Sequence, residues 1–204
     1  MWRKRAASRN SKSWDFLVDA FKYKENKLHC EDVNLSKIAS SFGTPAYVYS
    51  KKALTENALM YVNSFTNPDN MACFSVKSLS NLSVLKLLKE VGCGFDVVSG
   101  GEMHRALSIG ADPKSIIFSG VGKSSDEIKQ GILNKILSFN VESVSELYKI
   151  EAIAKKLQMN ASVSIRFNPD IDSGGHDYIT TGRKGDKFGI SSIEDILNLS
   201  TYIS

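Results

Sequence analysis

A chain of 204 residues, 42% hydrophobic and 24% charged, has material for one ordinary domain with a real core, which excludes wholesale disorder. Its 14 Gly and 4 Pro exclude a collagen-like or linker-rich protein, and no run of 18 apolar residues offers a membrane helix. The formal charge of +4 is local: Arg3, Lys4, Arg5, Arg9 and Lys12 stand without an acid in residues 1–14, and the rest of the chain sums to −1. A nucleic-acid surface spread over the fold is therefore not expected.

In chain order, residues 1–14 read as a basic, disordered leader. Its Arg and Ser content resembles a targeting segment, but a long amphipathic stretch is missing. Residues 15–50 form an opening segment. Phe21, Tyr23, Leu28 and His29 flank the polar turn Lys24–Lys27, and Leu35, Ile38 and Ala39 then recur at helical spacing up to Gly43-Thr44-Pro45. Residues 46–49 (AYVY) predict a short strand, and Leu54, Ala58, Leu59 and Val62 predict an amphipathic helix over 52–65.

A rhythm begins at Met71. Strands are predicted at 71–76, 94–98, 115–118, 136–139 and 161–167, with helices near 81–90, 100–109, 125–134 and 143–157. Strand starts 21 to 25 residues apart, with short runs apolar on both faces, predict parallel strands joined by crossover helices. Such a series closes as a doubly wound sheet or as a (β/α)8 barrel, and a barrel normally takes ~250 residues. Cys30, Cys73 and Cys93 are odd in number and lack C-x-x-C or histidine at ligand spacing, so neither a disulfide framework nor a zinc site is expected, and a reducing cytoplasm is the expected compartment.

In parallel α/β proteins, ligands gather at the carboxyl ends of the strands. Those ends here carry Lys77, Ser78 and Asn81; then Asp96 with Ser99-Gly100-Gly101-Glu102; then Ser119 to Lys123; then Asn140 and Glu142; then Arg166, Asn168 and Asp170. Each has a plain structural reading as well. A rim lysine is commonly solvated, Ser99 and Asn140 suit helix N-caps, and Glu102 and Glu142 suit the positive end of a helix. Arg166, between Ile165 and Phe167, calls for an acidic partner or a ligand. Gly122-Lys123-Ser124 resembles the end of a phosphate loop, but Ile117 stands where that loop needs its first Gly. Gly92-Cys93-Gly94 precedes a strand and lacks the third Gly of a dinucleotide fingerprint.

Several of these runs together resemble the fold-type III pyridoxal 5′-phosphate (PLP) enzymes. They are Cys73–Asn81 (CFSVKSLSN), Gly94–Glu102 (GFDVVSGGE), Ile117–Lys123, Phe139–Ser143 and Ile165–Asp170, in order. The run from His176 to Gly182 (HDYITTG), followed by Lys187-Phe188-Gly189-Ile190, is similar to the diaminopimelate decarboxylases within that family. The resemblance implies an alanine racemase-like (β/α)8 barrel, of which about the first five βα units are present. It implies PLP-dependent decarboxylation of meso-2,6-diaminopimelate to L-lysine and CO2. Lys77 would then hold PLP covalently, since a desolvated lysine is nucleophilic towards a carbonyl. Asp96 and Glu102 would belong to the network around that bond, Arg166 would place positive charge beside the cofactor, and His176 and Tyr178 would sit in a loop covering the amino-acid substrate.

The resemblance further implies a homodimer for the full-length family, with residues 15–50 pairing with a C-terminal β domain and 51–204 forming the partial barrel. Ser78 and Leu79 replace the small residue and Asn usual after the lysine. The chain also ends at Ser204, before the family's ring-stacking His, phosphate loop, ring-nitrogen partner and β domain, so an incomplete fragment is expected, with turnover by this chain alone in doubt. Two other readings stay open: a non-catalytic binding or regulatory half-fold, and another fold-III amino-acid decarboxylase.

Overall fold

The structure is a computed structural model and describes residues 20–67, 69–171 and 188–203. The chain divides into two compact units, residues 1–64 and 65–204.

In the first unit, β1 (Phe21–Lys24) and β2 (Lys27–Cys30) form an antiparallel hairpin, which β3 (Val33–Asn34) extends. Glu25 and Asn26 both have positive φ, 51° and 58°, the backbone of a two-residue turn whose twist matches the strands it joins. Helix α1 (Leu35–Phe42) starts on the Asn34 side chain and α2 (Lys51–Val62) on that of Ser50. Glu31 ties the hairpin to α2, its Oε1 accepting from the Ser50 hydroxyl at 2.7 Å and the Lys52 N–H at 2.9 Å. Residues 46–49 form no strand, contrary to the sequence expectation: no described strand pairs with them, and Tyr47 and Tyr49 stack on each other with ring centres 6.4 Å apart.

The second unit repeats strand and helix: β4 (Cys73–Ser75), α3 (Leu82–Val91), β5 (Gly94–Val97), α4 (Gly100–Ser108), β6 (Ile116–Phe118), α5 (Ser125–Asn134), β7 (Ser138–Val141), α6 (Val144–Leu157), β8 (Val163–Ile165) and α7 (Ile193–Ile203). All five strands pair in parallel, and their spatial order is their chain order. A doubly wound sheet reverses direction once, so an unreversed order is that of a barrel wall. Helices α3, α4, α5 and α6 each contact the next, which places them in a row on one face.

That face is the core. Phe95, Val97, Ile116, Phe118, Phe139 and Val141 are at most 1% exposed, and Phe118 and Phe139 stack with ring centres 6.0 Å apart. Burying each such side chain contributes about 1.5–3 kcal/mol. Because side chains alternate along a strand, the opposite face carries Ser75, Asp96, Ile117, Ser138, Asn140 and Ser164, mostly small or polar.

The fourth strand lies two residues later than the sequence predicts. Ile136 closes α5 instead of entering the ladder, and the Leu137 N–H donates to the Ile116 carbonyl of β6 at 2.9 Å just ahead of β7. Lys135 takes a left-handed conformation (φ 56°), its N–H bonds to the Ile132 carbonyl and that of Ile136 to Gly131, the pattern of a Schellman helix end. Asn140 consequently lies inside β7 and is no N-cap; Ser143 caps α6.

Candidate functional site

The site begins at the end of β4. After Ser75 the chain closes into a single 3₁₀ turn, Val76–Ser78. Val76 is fully buried, the Ser78 hydroxyl donates to the Ser75 carbonyl at 2.7 Å, and the Leu79 N–H donates to the Val76 carbonyl at 3.1 Å. Ser78 thus has a use in closing the turn. Lys77 is held by this backbone while its side chain is exposed and has no hydrogen bond or ion pair among the described residues. Arg105 Nη1 donates to the Ser80 carbonyl at 3.3 Å, which binds the segment after Lys77 to α4.

Two residues before Lys77, Ser75 enters a hydrogen-bonded line across four strands. Its hydroxyl donates to Asp96 Oδ2 at 3.4 Å, and the Ser119 hydroxyl donates to Asp96 Oδ1. Asn140 Nδ2 donates in turn to Ser119 Oγ at 2.9 Å. The half-buried Asp96 carboxylate therefore accepts on both oxygens, and the line joins the ends of β4, β5, β6 and β7. Burial first, then the charge of Asp96 and the neighbouring Cys93, push the Cys73 thiol up to about 11.

Glu102 stands apart from that line. Its Oε2 accepts from the Val98 N–H at 2.8 Å, while its own N–H bonds the Ser99 hydroxyl at 3.2 Å, so it braces the turn between β5 and α4. No described hydrogen bond joins it to Asp96.

Arg166 has the acidic partner its setting demands. Its Nη1 lies 3.1 and 3.2 Å from the two oxygens of Glu142, whose side chain is 1% exposed against 38% for the arginine. The guanidinium also lies over the Phe188 ring at 5.0 Å. Glu142 Oε1 accepts from the Gly120 N–H at 2.9 Å, at a backbone (φ +97°) that favours glycine.

Next to it is a residue that the sequence presents only as a failed phosphate loop. The Lys123 ammonium is 1% exposed and donates to the Gly120 carbonyl (2.7 Å), the Asn140 carbonyl (2.8 Å) and Glu146 Oε1 (2.7 Å). All three of its protons are used within the protein, so this lysine is a brace and not an anion binder.

Glu127 and Glu146 complete the rim and also escape the sequence reading. Glu146 Oε2 accepts from the Glu142 N–H at 2.8 Å. Glu127 reaches the Gly100 N–H at the start of α4 at 2.7 Å; that bond, followed by one from the Ser124 N–H, holds its carboxyl below the usual range. A signal for both exists: Ser99/Glu102, Ser124/Glu127 and Ser143/Glu146 are all S-x-x-E, the pattern of a capped helix start.

Of the residues singled out from sequence, the structure links Lys77 to Asp96 through the Ser75 segment, gives Arg166 to Glu142 and leaves Glu102 to its own turn. His176 and Tyr178 lie outside the described residues. A groove of about 570 Å³ along α6, lined by Leu147, Ile150, Ala154 and Val163, includes none of them.

Residues 51–203 match the family described as pyridoxal-dependent decarboxylase, pyridoxal-binding domain. The chain is 46% identical over 174 residues to a diaminopimelate decarboxylase of Haemophilus influenzae, covering 85% of this chain and 42% of that protein. It is 44% identical over 161 residues to the enzyme of that name from Helicobacter pylori, with 79% and 40% covered. Among solved structures, the H. pylori diaminopimelate decarboxylase complexed with L-lysine superposes with a TM-score of 0.78 at 41% identity, covering 83% of this chain and 43% of that one. The enzyme from M. jannaschii, also with L-lysine, gives 0.78 at 33% identity, with 90% and 44% covered. The chain spans less than half the length of the relatives it matches.

Proposed function

This chain belongs to the pyridoxal-dependent decarboxylases, through the pyridoxal-binding domain matched by residues 51–203, and from that premise we propose that the whole protein converts meso-2,6-diaminopimelate to L-lysine and CO2 with PLP as cofactor. The observation that carries the reading is Lys77. A primary amine at the end of β4, unpartnered among the described residues and two residues from the serine that touches Asp96, fits a carbonyl cofactor. The substrate follows from the relatives named for it and from the L-lysine in two of their structures.

When bound, PLP supplies the electron sink for loss of the carboxylate. The roles of this chain's own residues are then as follows. Lys77 Nζ holds the cofactor. Asp96, fixed by two hydroxyls, keeps a carboxylate at the adjoining strand end. Arg166 brings a cation to the rim, and Glu142 sets its position. Glu102 holds the turn after β5, while His176 and Tyr178 cover the substrate. The homodimer and a reducing compartment belong to the same proposal; three unpaired cysteines suit the latter.

The test is release of CO2 by the PLP-loaded whole protein from meso-diaminopimelate, with ornithine and arginine as comparators. The reading expects release from diaminopimelate alone and its loss in Lys77→Ala. Equal release from ornithine would overturn the substrate, and an active Lys77→Ala would overturn the site.

A further inference from the structure

We infer that Ser119 and Asn140 are positioning residues whose hydrogen-bond chain orients the Asp96 carboxylate towards the cofactor held by Lys77. The inference rests on the cofactor reading above and deepens it.

An amide nitrogen only donates, so Asn140 Nδ2, 2.9 Å from Ser119 Oγ, makes that oxygen an acceptor. A hydroxyl has one proton, and that of Ser119 is directed to Asp96 Oδ1. Asp96 Oδ2 meets a second hydroxyl, that of Ser75. The carboxylate is therefore gripped from both neighbouring strands, and its rotation would break two bonds at once. Asn140 is itself fixed, because its backbone carbonyl is one of the three acceptors around the buried Lys123 ammonium. The chain thus runs from a buried ion pair, through an amide and a hydroxyl, to an acid at the strand end next to Lys77. Ser75, Asp96 and Asn140 lie on the sheet face opposite the helices, so packing of the hydrophobic core does not account for them; the Lys123 ammonium that anchors the far end lies over the Phe118 ring on the helix side.

The experiment records the visible band of PLP bound to the whole protein in wild type, Asp96→Asn, Ser119→Ala, Ser119→Thr, Asn140→Leu and the double variant Asp96→Asn/Ser119→Ala. Far-UV circular dichroism checks that each is folded. Positioning predicts that Ser119→Ala and Asn140→Leu move the band in the direction of Asp96→Asn and by a comparable amount. It also predicts that Ser119→Thr, which keeps the hydroxyl, restores the wild-type band, and that the double variant moves no further than Asp96→Asn, since residues acting through one path are not additive. Should Ser119→Ala fail to fold, Asn140→Leu tests the same chain from its far end. A wild-type band in both alanine and leucine variants, beside a shifted Asp96→Asn, overturns the inference. An unshifted Asp96→Asn overturns the inference together with the role of Asp96 but leaves Lys77 standing. No band in wild type overturns the Lys77 reading and this inference with it.

Discussion

Lys123 is the residue on which the rim depends most. Its ammonium sits among two carbonyls and a carboxylate with 1% of its side chain exposed, so removing it leaves three buried acceptors short of a donor. We predict that Lys123→Ala destabilises the chain by about 3–5 kcal/mol, the cost of breaking a buried ion pair; the midpoint of urea unfolding measures it. Glu127 gives a pH signature. Its folded pKa lies below the ordinary 4.5, because the Gly100 and Ser124 amides bond the charged form. Its contribution is therefore complete above about 4.5 and is lost as pH falls through the folded value. Unfolding followed from pH 6 down to pH 3 should show wild type losing stability faster than Glu127→Gln, and parallel curves would remove the assignment. The sequence identifies Arg166, between Ile165 and Phe167, as calling for an acidic partner or a ligand. It does not identify the brace. Three glutamates at the same S-x-x-E spacing send their carboxylates to different donors: Glu102 to its own turn, Glu127 to the Gly100 amide at the start of α4 and Glu146 to both Lys123 and the Glu142 amide. Only the fold decides which.

At the scale of elements, helix α5 sits close enough to β7 that one glycine decides the spacing. A Cβ at Gly131 would lie 2.5 and 2.8 Å from two atoms of the Phe139 ring and 3.2 Å from Ile136 Cδ1. Helix propensity alone favours alanine there by about 1 kcal/mol. Overpacking a fully buried aromatic costs typically 1–3 kcal/mol, and we expect it to win, so Gly131→Ala should lower the melting temperature. A raised melting temperature would mean that Phe139 yields more easily than its burial suggests. The helices between the strands were the more legible elements, because apolar residues at helical spacing follow a cap residue in α3, α4, α5 and α6, and α5 has the bounds its sequence predicts; α7 (Ile193–Ile203) was not read from the sequence. The fourth strand was less so, since Ile136 is as apolar as a strand residue and nothing local shows that a left-handed Lys135 assigns it to the helix end. The strand expected at 46–49 failed for a similar reason: local β propensity needs a partner strand to become a ladder.

For the whole molecule, five strands in chain order with one helix-covered face and one small, polar face are a barrel wall whose inner surface is ready for a polar ligand. Strand spacing alone leaves two closures open, and the unreversed order decides between them. The most direct measurement is to add PLP to the purified whole protein, reduce with borohydride and locate the added mass by peptide mapping. The account predicts a visible band and one cofactor mass on the peptide containing Lys77, absent in Lys77→Ala. No band, or label scattered over exposed lysines with none preferred, would contradict it.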